Sequence, residues 1–358
     1  MINYNEAINV VDTHLLTLIS ELYGLSDYDI RRIGAHEGGR NIVYTCEQAG
    51  LEPRILRVSY LNDRSREDML GEVEFIRYVW GHGGSVPDVI SSMKGNLLEE
   101  ITHEGRNYWI CLFAKAPGMR LADNHYRYRD GVPITEYYYN SGKTLGKLHQ
   151  LSKEYTAVHR RHHFFDKFNA ETISELIPSS LTLLKEKMLE LLDTLRTLET
   201  NREVYGMIHL DYNDGNYMID FTTGQITVYD FDNSCFGWYM YDLADLWRSG
   251  TGWIAGEPDA GIRKAFMDDY FRIALEGYRS ETEITDAMLE KLPLFIDALL
   301  MEQIMDVFEC MRNAGESPEC DEELSYYIRC LEDGIPYLGL FHEIYSSEEP
   351  FEAEVRSI

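Results

Sequence analysis

Residues Tyr205–Asp220 read YGMIHLDYNDGNYMID, and the chain continues through Tyr217–Asp232 as YMIDFTTGQITVYDFD. Two short apolar runs flank Thr222, Thr223 and Gly224, which predicts a β-hairpin. With the turn centred on Thr223, Asn216 lies seven residues before the centre and Asp230 seven after, so antiparallel pairing sets them opposite one another. An amide oxygen and a carboxylate converging there are two hard donors. Mg2+ accepts such a partial protein set when phosphate oxygens and water complete its octahedron. Asp211, five residues before Asn216 on the preceding loop, would stand beside that metal with an open face.

Upstream of this stretch, Val11, Leu15, Leu16, Ile19 and Leu22 recur at helical spacing, and Gly24 closes the segment. The period then changes. NIVYTCEQAGLEPRILRVSYL (residues 41–61) alternates as two strands around a Gly and Pro turn, and NYWICLFA (107–114) reads as a buried strand. Between them, Met69, Val73, Ile76 and Val79 mark one face of a helix. After Ala116 helical patterns dominate, which predicts an α+β chain with a small β-rich lobe over residues 1–115 and a larger mainly helical lobe over 116–358. The 358-residue length suits two lobes.

Acids outnumber bases 61 to 33, for a formal charge of −28. Such a surface repels phosphate backbones and anionic headgroups, so neither nucleic acid nor membrane is an expected partner. Six cysteines without a C-x-x-C pair indicate free thiols in a reducing compartment. The N-terminal segment MINYNEAINVVDTHLLTLISEL carries acids where a signal peptide needs bases, so a cytoplasmic location is expected.

The order H-x-D-x-x-x-x-N, then a hairpin, then D-F-x follows the catalytic-loop pattern of kinases. MIHLDYNDGNYMID and ITVYDFDNSCFGWYMYDLADLW together resemble the catalytic loop and metal motif of the aminoglycoside phosphotransferase and choline kinase family, whose fold is protein-kinase-like. GGRNIVYTC, RILRVSY, GEVEFIRYVWGHGGSVP and SGKTLGKLHQLSKEY follow the family's order, so the likeness spans roughly residues 30–250. The resemblance implies that Asp211 is the catalytic base, that Asn216 and Asp230 ligate Mg2+, and that His209 and Asp242 brace the loop. Asp232 is a further candidate for metal or substrate, with a surface carboxylate as the alternative. Asp214, before a glycine, reads as a solvated or turn-stabilising acid.

In the small lobe, the resemblance places a phosphate-covering loop at Gly38 and Gly39 and an adenine-binding hinge at Phe113, Ala114 and Lys115. Where the family often has a strand lysine this chain has Arg57, with Glu72 its expected helix partner and Glu74 second. Arginine keeps the charge but presents a fork rather than a point. Leu210 replaces the family's usual small residue.

The expected activity is transfer of the γ-phosphoryl group of ATP or GTP, with Mg2+, to a hydroxyl of a small molecule. An amine-bearing, cationic acceptor such as an aminoglycoside suits the acidic helical half. Choline, ethanolamine, homoserine or a sugar metabolite are alternatives, as is a non-catalytic nucleotide-binding relative. The chain is expected to be a monomer or homodimer. A His and Asp metallohydrolase would need more ligands than HRRHH (159–163) offers, since that stretch reads as an exposed basic connection.

Overall fold

The computed structural model describes residues 3–34, 40–61, 63–318 and 320–339. The chain divides into two compact units: Met1–Gly118 with Tyr155–Arg161 and Thr227–Asp232, and Met119–Glu154 with His162–Ile226 and Asn233–Ile358.

The first unit opens with α1 (Tyr4–Val10) and α2 (Leu16–Tyr23), joined by a π-helical turn over Val11–Leu15. Six antiparallel strands follow: β1 (Asp29–Arg32), β2 (Asn41–Glu47), β3 (Arg54–Ser59), β4 (Val89–Ile90), β5 (Glu99–His103) and β6 (Arg106–Ala114). Their order is β1-β2-β3-β6, with β4 and β5 sharing the outer edge of β6. Side chains alternate across a strand, so Ile42, Tyr44, Leu56 and Val58 all face the core built on Ala7, Val11, Leu15 and Ile19. The same alternation turns Arg57 to the opposite face. There α3 (Arg66–Gly81) begins at Ser65, whose hydroxyl accepts from Asp68 N at 3.1 Å, and it buries Met69, Glu72, Val73, Phe75, Ile76 and Val79.

In the second unit, α4 (Thr135–Glu154), α5 (Phe164–Lys167), α6 (Ala170–Leu176) and α7 (Thr182–Arg196) precede β7 (Tyr205–Ile208). The chain then forms a hairpin of β8 (Tyr217–Asp220) and β9 (Gln225–Val228), the last two residues of which count with the first unit, as the apolar runs around Gly224 predict. Its turn closes with Gly224 N donating to Asp220 O at 2.7 Å, and Gly224 takes φ +78°, which a side chain would resist. β10 (Cys235–Trp238) pairs antiparallel with β7, placing Cys235 beside Ile208. The helices α8 (Tyr239–Trp253), α9 (Ala260–Arg279), α10 (Asp286–Leu289), α11 (Leu292–Ala314) and α12 (Glu322–Asp333) complete the unit. Glu290 and Lys291 separate α10 from α11, and Pro293 is the second residue of α11, in the first turn that tolerates it. Among the described residues no helix is long and apolar enough to cross a membrane.

Candidate active site

In the second unit the H-x-D loop hangs from the end of β7 and is held by one carboxylate. Asp242, fully buried in the first turn of α8, accepts from His209 N at 2.7 Å and Leu210 N at 2.9 Å. A third bond comes from His149 of α4, whose Nε2 lies 3.1 Å from the same carboxylate while its Nδ1 lies 3.0 Å from the Tyr278 hydroxyl. Burial pushes the His149 imidazole below its ordinary value, so it is neutral, donates through Nε2 and accepts the Tyr278 hydroxyl proton at Nδ1. These bonds hold Leu210 at φ +64°, a left-handed conformation unusual for a bulky residue. It is the backbone of His209 that Asp242 grips; the fully buried ring of His209 meets Tyr212 edge-on at 6.0 Å between centroids.

Asp211 follows Leu210, half-buried, between two asparagines. Asn213 Nδ2 donates to one carboxylate oxygen of Asp211, and Asn216 Nδ2 donates to the other at 2.9 Å and to Asp211 O at 3.0 Å. An Asx turn forms at Asn213, whose Oδ1 accepts from Gly215 N at 3.0 Å. Asp214 is partly buried: burial raises its carboxyl, the backbone amides of Asp214 and Gly215 oppose this, and Tyr137 and Tyr270 feel its charge.

In the first unit, Arg57 Nη1 donates to Glu72 Oε1 at 2.7 Å, with both residues buried. Glu74 instead accepts from His159. Arg57 Nε and Nη2 and Glu72 Oε2 are buried without hydrogen-bond partners. The Arg57 guanidinium also lies 5.2 Å from the centroid of the Phe113 ring. At the end of β6 the amides of Ala114 and Lys115 are already engaged, donating to Asp88 O at 2.9 Å and Pro53 O at 3.0 Å. Gly38 and Gly39 lie outside the described residues.

The segment after β9 does not continue as a strand. Asp230 takes φ +65° and Phe231–Asn233 form a 3-10 turn, so strand alternation does not relate Asp230 to Asp232. Asp232 is buried rather than a surface carboxylate, and it accepts from Asn41 Nδ2 at 2.9 Å, with Arg64 at 3.9 Å. Burial alone would raise its carboxyl; the guanidiniums of Arg64, Arg57, Arg40 and Arg161 outweigh that and hold it below the usual carboxylate range.

The description "Phosphotransferase enzyme family" matches residues 30–280, more than half of the chain. The chain belongs to that family. This phosphotransferase is 25% identical to the amicoumacin kinase of Bacillus subtilis (strain 168) over 320 residues, covering 88% of this chain and 90% of that protein. Its fold matches that of an amicoumacin kinase solved in complex with AMP-PNP, Ca2+ and Ami, with a TM-score of 0.79 and 23% identity over 96% of this chain and 99% of that one. A microcompartment-associated aminopropanol kinase matches with a TM-score of 0.64 and 20% identity over 90% of this chain and 99% of that one. The enzyme is thus a small-molecule phosphotransferase acting on a hydroxyl group.

Two further groups in the phosphotransferase escape a motif reading. Asp245 sits one helical turn past Asp242 on α8; its Oδ1 takes Arg248 Nε at 3.0 Å and Nη2 at 2.7 Å, while its buried Oδ2 has no hydrogen-bond partner. Burial pushes its carboxyl up to about 6, Arg248 opposes this, and the charge of Asp211 adds to it. The i, i+3 spacing in DLAD was its available signal. The HRRHH stretch is not the exposed connection expected: Arg161 is fully buried, with its guanidinium pushed down to about 10 by burial. His159 pairs with Glu74 and His163 with the Tyr205 hydroxyl, and among the described residues no group of three or more His, Cys, Asp or Glu is placed to hold a metal.

Proposed function

We propose that the enzyme transfers the γ-phosphoryl group of ATP to a hydroxyl of an amine-bearing small molecule, with an antibiotic of the amicoumacin kind as the first acceptor to try. The observation that carries this reading is the setting of Asp211, a half-buried carboxylate oriented by two asparagine amides on a loop whose backbone Asp242 holds. Its role is to orient the acceptor hydroxyl and take its proton as the acceptor oxygen bonds to the γ-phosphorus. The bond from that phosphorus to the β–γ bridging oxygen breaks, and ADP leaves with the electron pair.

Asn216 and Asp230 suit Mg2+ as donors. Asn216 turns Nδ2 to Asp211, which directs its hard Oδ1 oxygen the other way, and Asp230 brings a carboxylate. When bound, the ion would neutralise phosphate charge. Arg57 fits the phosphates because its two unpaired donors are buried, and a buried donor without a partner favours any anion that reaches it. Likeness to the amicoumacin kinase across 88% of the chain supports the acceptor class, as does the acid surplus. The aminopropanol kinase fold keeps small amino alcohols as the second candidates.

The test is nucleotide consumption by the purified protein with Mg2+ and ATP or GTP against amicoumacin, aminoglycosides, choline, ethanolamine, aminopropanol and homoserine. Asp211→Asn, folded by melting temperature, should lower acceptor-dependent turnover by about 100-fold or more. Equal turnover in that variant would remove Asp211 from the role of base. Nucleotide binding without turnover of any acceptor would favour the non-catalytic nucleotide-binding alternative.

A further inference from the structure

The phosphotransfer reading leaves one buried cation of the first unit unused. Arg161 is fully buried, and its two terminal nitrogens bridge segments far apart in sequence: Nη1 donates to Asp68 O at 3.0 Å and Nη2 to Asp232 O at 2.5 Å. Asp68 lies in the first turn of α3, and Glu72 follows one turn later. Asp232 lies two residues past Asp230, whose φ of +65° is a conformation that persists only where its surroundings hold it.

The same junction is packed from both sides. Phe231 meets Phe75 of α3 edge-on, with ring centroids 6.2 Å apart. Gly71 faces Arg161 so closely that a Cβ added there would lie 3.1 Å from Arg161 N and 3.2 Å from its Cβ. Desolvating a guanidinium is costly unless its donors are used, and here the fork spans two carbonyl oxygens that a point-charge lysine could not reach together.

We infer that Arg161 is a positioning residue: it clamps the turn at residues 230–232 onto α3, so that Asp230 presents its carboxylate to the divalent cation in one orientation. The inference rests on Asp230 being a metal ligand. Arg161 itself touches neither the metal nor the nucleotide; it acts through the backbone it holds. A partner that orients a metal ligand characteristically changes metal affinity by about 10–100-fold when removed.

The test reads equilibrium binding rather than turnover: the affinity of a non-hydrolysable ATP analogue, with and without Mg2+, in Arg161→Met, Arg161→Lys and Gly71→Ala. Melting temperatures are recorded alongside. Arg161→Met should lose about 10-fold or more of the Mg2+-dependent gain in analogue affinity. Arg161→Lys should recover part of it, and Gly71→Ala should shift it in the same direction while keeping the guanidinium. Acceptor affinity should not move.

Variants that melt lower yet keep the full Mg2+-dependent gain would overturn the inference, because a purely structural arginine behaves that way. Should Arg161→Met not fold, the lysine and Gly71→Ala variants decide by the same criterion. Asp230→Asn separates the two levels. If it retains the gain, the metal-ligand reading fails; if it loses the gain while the Arg161 and Gly71 variants keep it, this inference alone fails.

Discussion

Asp242 and Asp245 sit one turn apart on α8 and are treated differently by their neighbours. Asp242 receives His209 N, Leu210 N and His149 Nε2, whereas Asp245 has only Arg248 on one oxygen and a buried, unpartnered second oxygen. Burial therefore lifts the Asp245 carboxyl from 3.8 to about 6 in the folded chain. The folded state then holds a proton that the unfolded state releases. The stabilisation from that proton is complete below pH 3.8 and is lost as pH rises through about 6. Denaturant titrations at several pH values should thus show the wild type losing stability relative to Asp245→Asn across that window; a constant offset between the two would contradict the raised value. Asn213 escaped the motif, whereas the closeness of Asp211 and Asn216 was legible because they lie five residues apart on one loop. Asp232 was not, since its burial depends on Asn41 and the arginines around it.

Helices α4 and α9 approach each other at glycines. A Cβ at Gly142 would lie 1.7 Å from Ala274 O, one at Gly146 would lie 2.4 Å from Tyr278 O, and one at Gly277 would lie 1.9 Å from Tyr139 O. Gly142 and Gly146 share a helix face, so this contact sets how closely α4, which carries His149, meets α9, which carries Tyr278. Gly142→Ala should cost about 1–3 kcal/mol or more through overpacking, read as a lowered melting temperature. An unchanged melt would mean that the helices separate without penalty.

In the first unit, the pair of β3 and α3 permits a cleaner separation of stability from binding. Arg57→Ala strands Glu72 as a buried charge, which should cost about 3–5 kcal/mol. The double variant Arg57→Met with Glu72→Leu should recover most of that stability while remaining weak for nucleotide. If the double variant binds nucleotide as the wild type does, Arg57 has no part in holding phosphates. The Arg57 partnership with Glu72 was legible through the family resemblance, which sets a strand cation against a helix glutamate. The pairing of β7 with β10 was not, because such short strands identify their partners only through contacts made after folding.

Across the whole molecule, a formal charge of −28 gives ionic strength opposite effects on the two substrates. The field favours encounter with an amine-bearing acceptor and opposes encounter with an anionic nucleotide. Raising salt from about 0.01 M to about 0.15 M shortens the screening length from about 30 Å to about 8 Å. The association rate of a cationic acceptor should then fall while that of the nucleotide rises, as stopped-flow binding would show. Rates that move together would indicate that local charges, not the net field, steer both.

The chain's order of residues by itself determined the α+β organisation, the hairpin around Gly224 and the spacing of Asp211, Asn216 and Asp230. Each of these follows from periodicity, turn chemistry or a short loop, which act between near neighbours along the chain. Only the tertiary structure decided that Asp242, the brace the resemblance implies, grips His209 N and Leu210 N and shares its carboxylate with His149, that Asp245 is buried with an unpaired oxygen, and that Arg161 bridges Asp68 and Asp232. Burial and the bonding of a charged group depend on elements brought together from distant parts of the chain. The same aspartate or arginine is solvated or engaged according to what packs against it.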